Sequence, residues 1–157
     1  MFVLGAVAAA LLLPAAPASA DDRSVYEAWT KDDARGERLV KQSKRALNRW
    51  ERSKFRVWKP AVAAFDALQT HASDAEYFLK SESPSTEQGA RAQALALKGL
   101  EREWQGYGNL RYAVHLTVDG ERRLARHYLK SGARMLRIAA KYGRRANREF
   151  KALGLAT

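Results

Sequence analysis

Apolar positions in this chain recur three and four residues apart and almost nowhere two apart. From Asp21 onward period-two alternation is missing and β-branched residues are few, so the pattern predicts helices and no sheet. In a first segment, roughly 31–59, one side collects Gly36, Val40, Ser43, Leu47, Trp50, Val57 and Trp58, and the same spacing reaches back to Trp29. Lys54 falls on that side too. It is expected to snorkel from the edge of the core, the alternative being an internal pair with a carboxylate of another helix.

Pro60 is expected to end or kink this first helix, because the residue before a proline avoids helical geometry while proline itself suits a first helical turn. A second helix then carries Val62, Phe65, Leu68, Ala72, Ala75 and Leu79 inward and stops in SESPSTEQG, the clearest loop in the sequence. There Ser85 or Thr86, followed by Glu87 and Gln88, offers capping chemistry for a third helix. That helix presents Ala90, Leu97, Leu100, Trp104, Tyr107 and Val114. Gly99, Gly106 and Gly108 weaken it, with a break expected at WQGYGN. Asp119-Gly120 makes a turn, and a last helix from about Glu121 to Leu153 sustains one stripe: Leu124, Tyr128, Gly132, Met135, Ala139, Tyr142, Ala146, Phe150 and Leu153. Gly154 suits its C-terminal cap. The fold class expected is all-α: an antiparallel helical bundle of three to four long amphipathic helices, with the first helix kinked or ended at Pro60.

The first twenty residues follow a different pattern. An uncharged apolar run, a proline break and small residues ending in Ala18-Ser19-Ala20 read as a signal peptide cleaved near Ala20. The alternative is an uncleaved anchor, for which Phe2 to Leu13 is short and Pro14 and Pro17 are interruptions. The expected organisation is therefore a signal peptide over 1–20 and a single helical-bundle domain over 21–157, with the protein secreted or held in the cell envelope. Cysteine is absent, so stability has to come from packing.

Charge sharpens the picture. The net charge is +11 and the pI near 10.2, a balance that favours polyanions and anionic surfaces as partners without saying anything about fold. Placed on a helical wheel, Arg123, Arg126, Lys130, Arg134, Arg137, Lys141, Arg144, Arg148 and Lys151 fall opposite the apolar stripe of the last helix, where like charges three and four apart cost helix stability. The first helix repeats this less purely: Lys31, Arg38, Lys41, Arg45, Arg49, Arg52, Arg56 and Lys59 oppose its apolar side, diluted by Asp32, Asp33, Glu37 and Glu51. In an up-and-down bundle the first and last helices are neighbours, so the two stripes are expected to join into one basic face about 40 to 45 Å long.

Arginine outnumbers lysine in the stripe, and its planar fork suits phosphate and carboxylate oxygens. The function expected is binding of an anionic envelope polymer, an anionic membrane surface or extracellular nucleic acid. The alternatives are an interaction module for an acidic protein and a binder of a small aromatic ligand near Trp104, Tyr107, Tyr112 and His115, where two glycines permit close approach. A solvated face with no partner is the plainest reading of any charge run. Enzymatic chemistry is not expected. His71, His115 and His127 are unpaired at ligand spacing, Glu101 and Glu103 point to different sides of a helix, and no cofactor or metal motif occurs.

Overall fold

The structure is a computed structural model, and it describes residues 20–31 and 33–156. The expected signal peptide, apart from Ala20, and Asp32 lie outside the described residues. Five helices follow in order, α1 (Ala20–Thr30), α2 (Asp33–Arg52), α3 (Lys59–Ser81), α4 (Glu87–Val118) and α5 (Arg122–Ala152), and among the described residues there is no strand. The four long helices pack together, with α3 against α2, α4 against α3 and α5 against α4. The short α1 lies on α3 and α4. None of these helices is long and apolar enough to cross a membrane.

Two core clusters hold the assembly. One joins Val25 and Ala28 of α1 with Leu79 of α3, Ala92, Ala96 and Leu100 of α4, and Ala146 and Phe150 of α5. The other joins Trp50 of α2 with Ala61, Phe65 and Leu68 of α3 and Val114 of α4. Phe150, Leu68 and Leu79 are fully buried, each stabilising the fold by about 1.5 to 3 kcal/mol relative to an exposed side chain.

The element that pattern reading misses is α1, because Trp29 fits the spacing of the following helix equally well. It is anchored by Asp22, which is fully buried and accepts hydrogen bonds from Ser85 N (3.1 Å), Thr86 N (3.3 Å) and Thr86 Oγ1 (2.8 Å). Thr86 is also the N-cap of α4, its hydroxyl accepting from Gly89 N in keeping with the capping signal. One carboxylate thus ties the start of α1 to the start of α4.

The first long helix ends at Arg52, not at Pro60. Lys54 and Phe55 adopt left-handed backbone (φ 52° and 68°), and Phe55 N donates back to Trp50 O at 2.9 Å, a Schellman-type reversal. Trp50 secures it from both sides, donating its indole N–H to Phe55 O and meeting the Phe55 ring edge-on. Lys54 is consequently exposed at the turn, and neither core snorkelling nor an internal pair describes it. Pro60 sits in the first turn of α3, where its missing N–H costs nothing.

WQGYGN is not a break either, for α4 runs unbroken through it. The glycines serve packing. Gly99 lies against Ala139 and Tyr142 of α5, and Gly106 against Leu136 and Gly132. Small buried residues repeat every seven positions on both helices, as Ala92, Gly99, Gly106 and Ala113 on α4 and as Ala125, Gly132, Ala139 and Ala146 on α5. Such a seam lets two backbones approach more closely than leucine would. Ala90, Trp104 and Leu124, expected inward, are exposed, because Ala90 and Trp104 stand two residues and Leu124 one residue from a seam position and so point away from the side on which α4 and α5 meet.

Candidate functional site

The seam of α5 faces α4, and that fixes which side of α5 faces water. Ala125, Gly132, Ala139, Ala146 and Phe150 are buried, while all nine expected cations, Arg123, Arg126, Lys130, Arg134, Arg137, Lys141, Arg144, Arg148 and Lys151, are exposed. Arg122 and Arg145 are exposed as well, so the helix carries eleven cations against one acid, Glu149. Glu149 is half-buried and accepts from Gln88 Nε2 of α4 through both its backbone oxygen (3.5 Å) and its carboxylate (3.4 Å). Among the described residues no ion pair joins an α5 cation to a carboxylate, whereas Lys80, Arg91 and Arg111 on α3 and α4 pair with Glu76, Glu87 and Asp66. A depression of about 570 Å³ lies among Lys141, Arg144, Arg145, Asn147 and Arg148.

The α2 stripe is exposed too: Arg38, Lys41, Arg45, Arg49, Arg52 and, past the helix end, Arg56. Lys41 has a loose partner in Glu37 at 3.8 Å, and Lys31 leaves the stripe to sit 3.6 Å over the Phe78 ring. The expectation that the first and last long helices adjoin requires correction. α2 packs on α3 and α5 on α4, and α2 and α5 are not among the packed pairs. Beside the C-terminal half of α5 stands α1 instead: Trp29 Nε1 donates to Asn147 Oδ1 at 2.8 Å, and the Tyr26 and Phe150 rings meet at 5.3 Å. Helix α1 therefore takes, at that end, the place expected for α2, and the cations form two separate stripes.

The four aromatic candidates are dispersed around α4. Trp104 lines a groove toward α3, Tyr107 a small cavity under α2, Tyr112 packs edge-on against Tyr128 of α5 at 4.7 Å, and His115 meets the Trp58 ring at 5.5 Å. Among the described residues no cavity gathers them; of the intervening glycines, Gly106 serves the α4–α5 seam and Gly108 faces Gln69 of α3. His127 is exposed beside Tyr128.

Pattern reading misses the cavity that Tyr107 lines. About 190 Å³ in volume, it is bounded by Asp33, Gly36, Val40, Leu68, His71, Glu103 and Tyr107. Burial pushes the Glu103 carboxyl above its ordinary range, and the charge of Asp33 adds to that. Burial raises Asp33 too, with Glu37 reinforcing the shift and His71 opposing it, and burial followed by Glu103 raises the Tyr107 phenol. His71 Nδ1 is buried without a hydrogen-bond partner, and a Cβ on Gly36 would stand 2.7 Å from His71 Nε2. Still, among the described residues no three His, Asp or Glu side chains are grouped to hold a metal ion. The only sequence signal is weak: a glycine facing a histidine across two helices is invisible to helical spacing.

No family model matches the chain, and neither a curated protein nor a solved structure is significantly similar to it.

Proposed function

We propose that this is an exported basic helical protein that binds an anionic polymer or surface, whether envelope polymer, anionic lipid or nucleic acid, through the cationic sides of α5 and α2. The observation that carries the reading is the state of α5: eleven exposed cations, with the one acid drawn toward Gln88. A merely solubilising surface intersperses both signs, as α3 and α4 do through their ion pairs. The correction to the helix order makes α5 the principal face and α2 a second, independent one. The role is binding and not catalysis, in one domain over 21–157. Its long helices alternate in direction as an antiparallel bundle, a reading supported for α4 and α5 by the partners Gln88 with Glu149, Asn109 with Ser131 and Tyr112 with Tyr128.

The test replaces Arg137, Lys141, Arg144 and Arg148 together by Gln and measures binding of duplex DNA, a polyuronate and anionic vesicles across a salt series. Affinity should fall and the salt dependence flatten. For duplex DNA the slope of log K against log salt should shrink by up to about 3.6, since each phosphate that is no longer neutralised takes about 0.9 from it. The same exchange at Lys80, Arg91, Lys98 and Arg111, three of which are already ion-paired, should matter much less. Equal losses from both sets would reduce the attraction to net charge and refute a dedicated face.

A further inference from the structure

A groove of about 870 Å³ runs between α3 and α4. Of the four tryptophans, Trp29 and Trp50 donate their indole N–H and Trp58 packs on His115. Trp104 does neither among the described residues, and it lines this groove with 47% of its surface exposed. The walls are polar yet carry no net charge, because the two ionic groups, Asp66 and Arg111, are paired with each other. In a chain of net charge +11 this neutral groove contrasts with the cationic stripes of α5 and α2.

The uncharged groups are placed to meet a ligand. Gln69 reaches across from α3 to donate its amide N–H to the backbone carbonyl of Trp104 at 3.2 Å, which leaves its Oε1 as an acceptor in the groove that Trp104 lines. Gly108 permits that crossing, since a Cβ there would stand 2.7 Å from Gln69 Nε2. Thr70 and Ser73, one helical turn along, are exposed on the same wall, and neither hydroxyl has a partner among the described residues. From Asp66 to Ser73 the wall is about 10 Å long, roughly the length of a disaccharide. A flat apolar ring beside amide and hydroxyl groups with both donor and acceptor capacity suits a molecule with one apolar face and a rim of hydroxyls. It does not suit a nucleotide, whose base would stack on Trp104 but whose phosphate would find only an Arg111 already held by Asp66.

We propose that the groove between α3 and α4 is a glycan-binding site that takes a pyranose ring of a neutral oligosaccharide against Trp104, with its hydroxyls on Gln69, Thr70 and Ser73. The site is independent of the cationic stripe and uses none of its residues.

The experiment follows the four tryptophan indole N–H signals by NMR while cellotetraose, chitotetraose and maltotetraose are added in turn. Trp104→Phe assigns the Trp104 signal. At least one oligosaccharide should shift that signal saturably and leave those of Trp29 and Trp50 in place. Because the groove is neutral, the affinity should be unchanged between low and high salt. Trp104→Ala should weaken binding about tenfold or more, and the double change Thr70→Ala with Ser73→Ala should weaken it while leaving the stacking surface intact. Trp104 is exposed, so the variant should fold, which circular dichroism checks. The proposal is overturned if none of the three sugars moves the signal at about 10 mM, tenfold above a millimolar Kd. It is equally overturned if Trp104→Ala binds as well as the parent. The α5 Gln variant should bind the sugar normally and Trp104→Ala should bind DNA normally, so either function can fail without the other.

Discussion

Gly99→Ala and Gly132→Ala should move stability in opposite directions, although both remove a helical glycine from the same seam. The helix gains about 0.8 to 1 kcal/mol from either change, the ordinary propensity difference between alanine and glycine. What differs is the space. A Cβ on Gly99 would lie 3.6 Å from Ala139 O, 3.6 Å from Tyr142 Cβ and 3.7 Å from Gly143 N, ordinary van der Waals contacts. A Cβ on Gly132 would lie 2.8 Å from Leu110 Cγ and 2.9 Å from Gly106 O. The second of these is backbone, so relief requires α4 and α5 to move apart and not merely a side chain to rotate.

Overpacking of that kind costs about 1 to 3 kcal/mol, which outweighs the propensity gain. Gly99→Ala should therefore stabilise by about 0.5 to 1 kcal/mol and Gly132→Ala destabilise by up to about 2 kcal/mol. Urea unfolding followed by circular dichroism resolves this, and for a chain of this size each kcal/mol shifts Tm by about 2 to 4 °C. Equal stabilisation by both changes would show that α4 and α5 do not cross in contact at Gly106 and Gly132, and the seam would be refuted.

Two further outcomes test other parts of the structure. Asp22→Ala should destabilise by about 2 to 4 kcal/mol, because it strips a charged acceptor from the amides of Ser85 and Thr86, and hydrogen exchange at Ser85 and Thr86 should speed up. Glu103→Gln should stabilise the protein at neutral pH. The folded state raises the Glu103 pKa, so its stability is full below the unfolded value of about 4.5 and declines as pH rises through the folded value. The gain from Gln should vanish below that unfolded value, and a gain equally large at pH 3 would refute the account. Asp33 on α2, His71 on α3 and Tyr107, one turn along α4 from Glu103 itself, line the same cavity, so the titration is read against a parent carrying all three.

Much of the fold is legible in the sequence because the helices obey a period. Phe65, Leu68, Ala72 and Leu79 on α3, the stripe of α5 apart from Leu124, the Thr86 cap and the left-handed Gly120 and Gly154 lie where spacing and turn chemistry put them. Other features leave no such signal. The reversal after Arg52 uses Lys54 and Phe55, residues with no preference for left-handed backbone, and it is held by Trp50 through contacts that local propensity does not encode. Helix α1 has only eleven residues, too few to show a convincing period, and its anchor Asp22 reads from sequence as an ordinary solvated acid. The glycines of α4 mislead for a related reason. Propensity counts Gly99 and Gly106 as weakness, while the close approach of α5 turns them into contact surface.

The same seam explains how α5 tolerates its charge. Along this helix eleven pairs of cations stand three or four residues apart, each costing about 0.2 to 0.5 kcal/mol at low salt, so self-repulsion amounts to roughly 2 to 5 kcal/mol. An isolated helix of this composition would be poorly formed. Burial of Ala125, Ala139, Ala146 and Phe150 against α4 and α1 offsets the repulsion from the opposite side of the same helix. Small residues also leave the helix little apolar width to cover, so most of its circumference is free to carry cations. On the proposed function, a bound polyanion would neutralise this repulsion and so raise the stability of the folded protein by linkage.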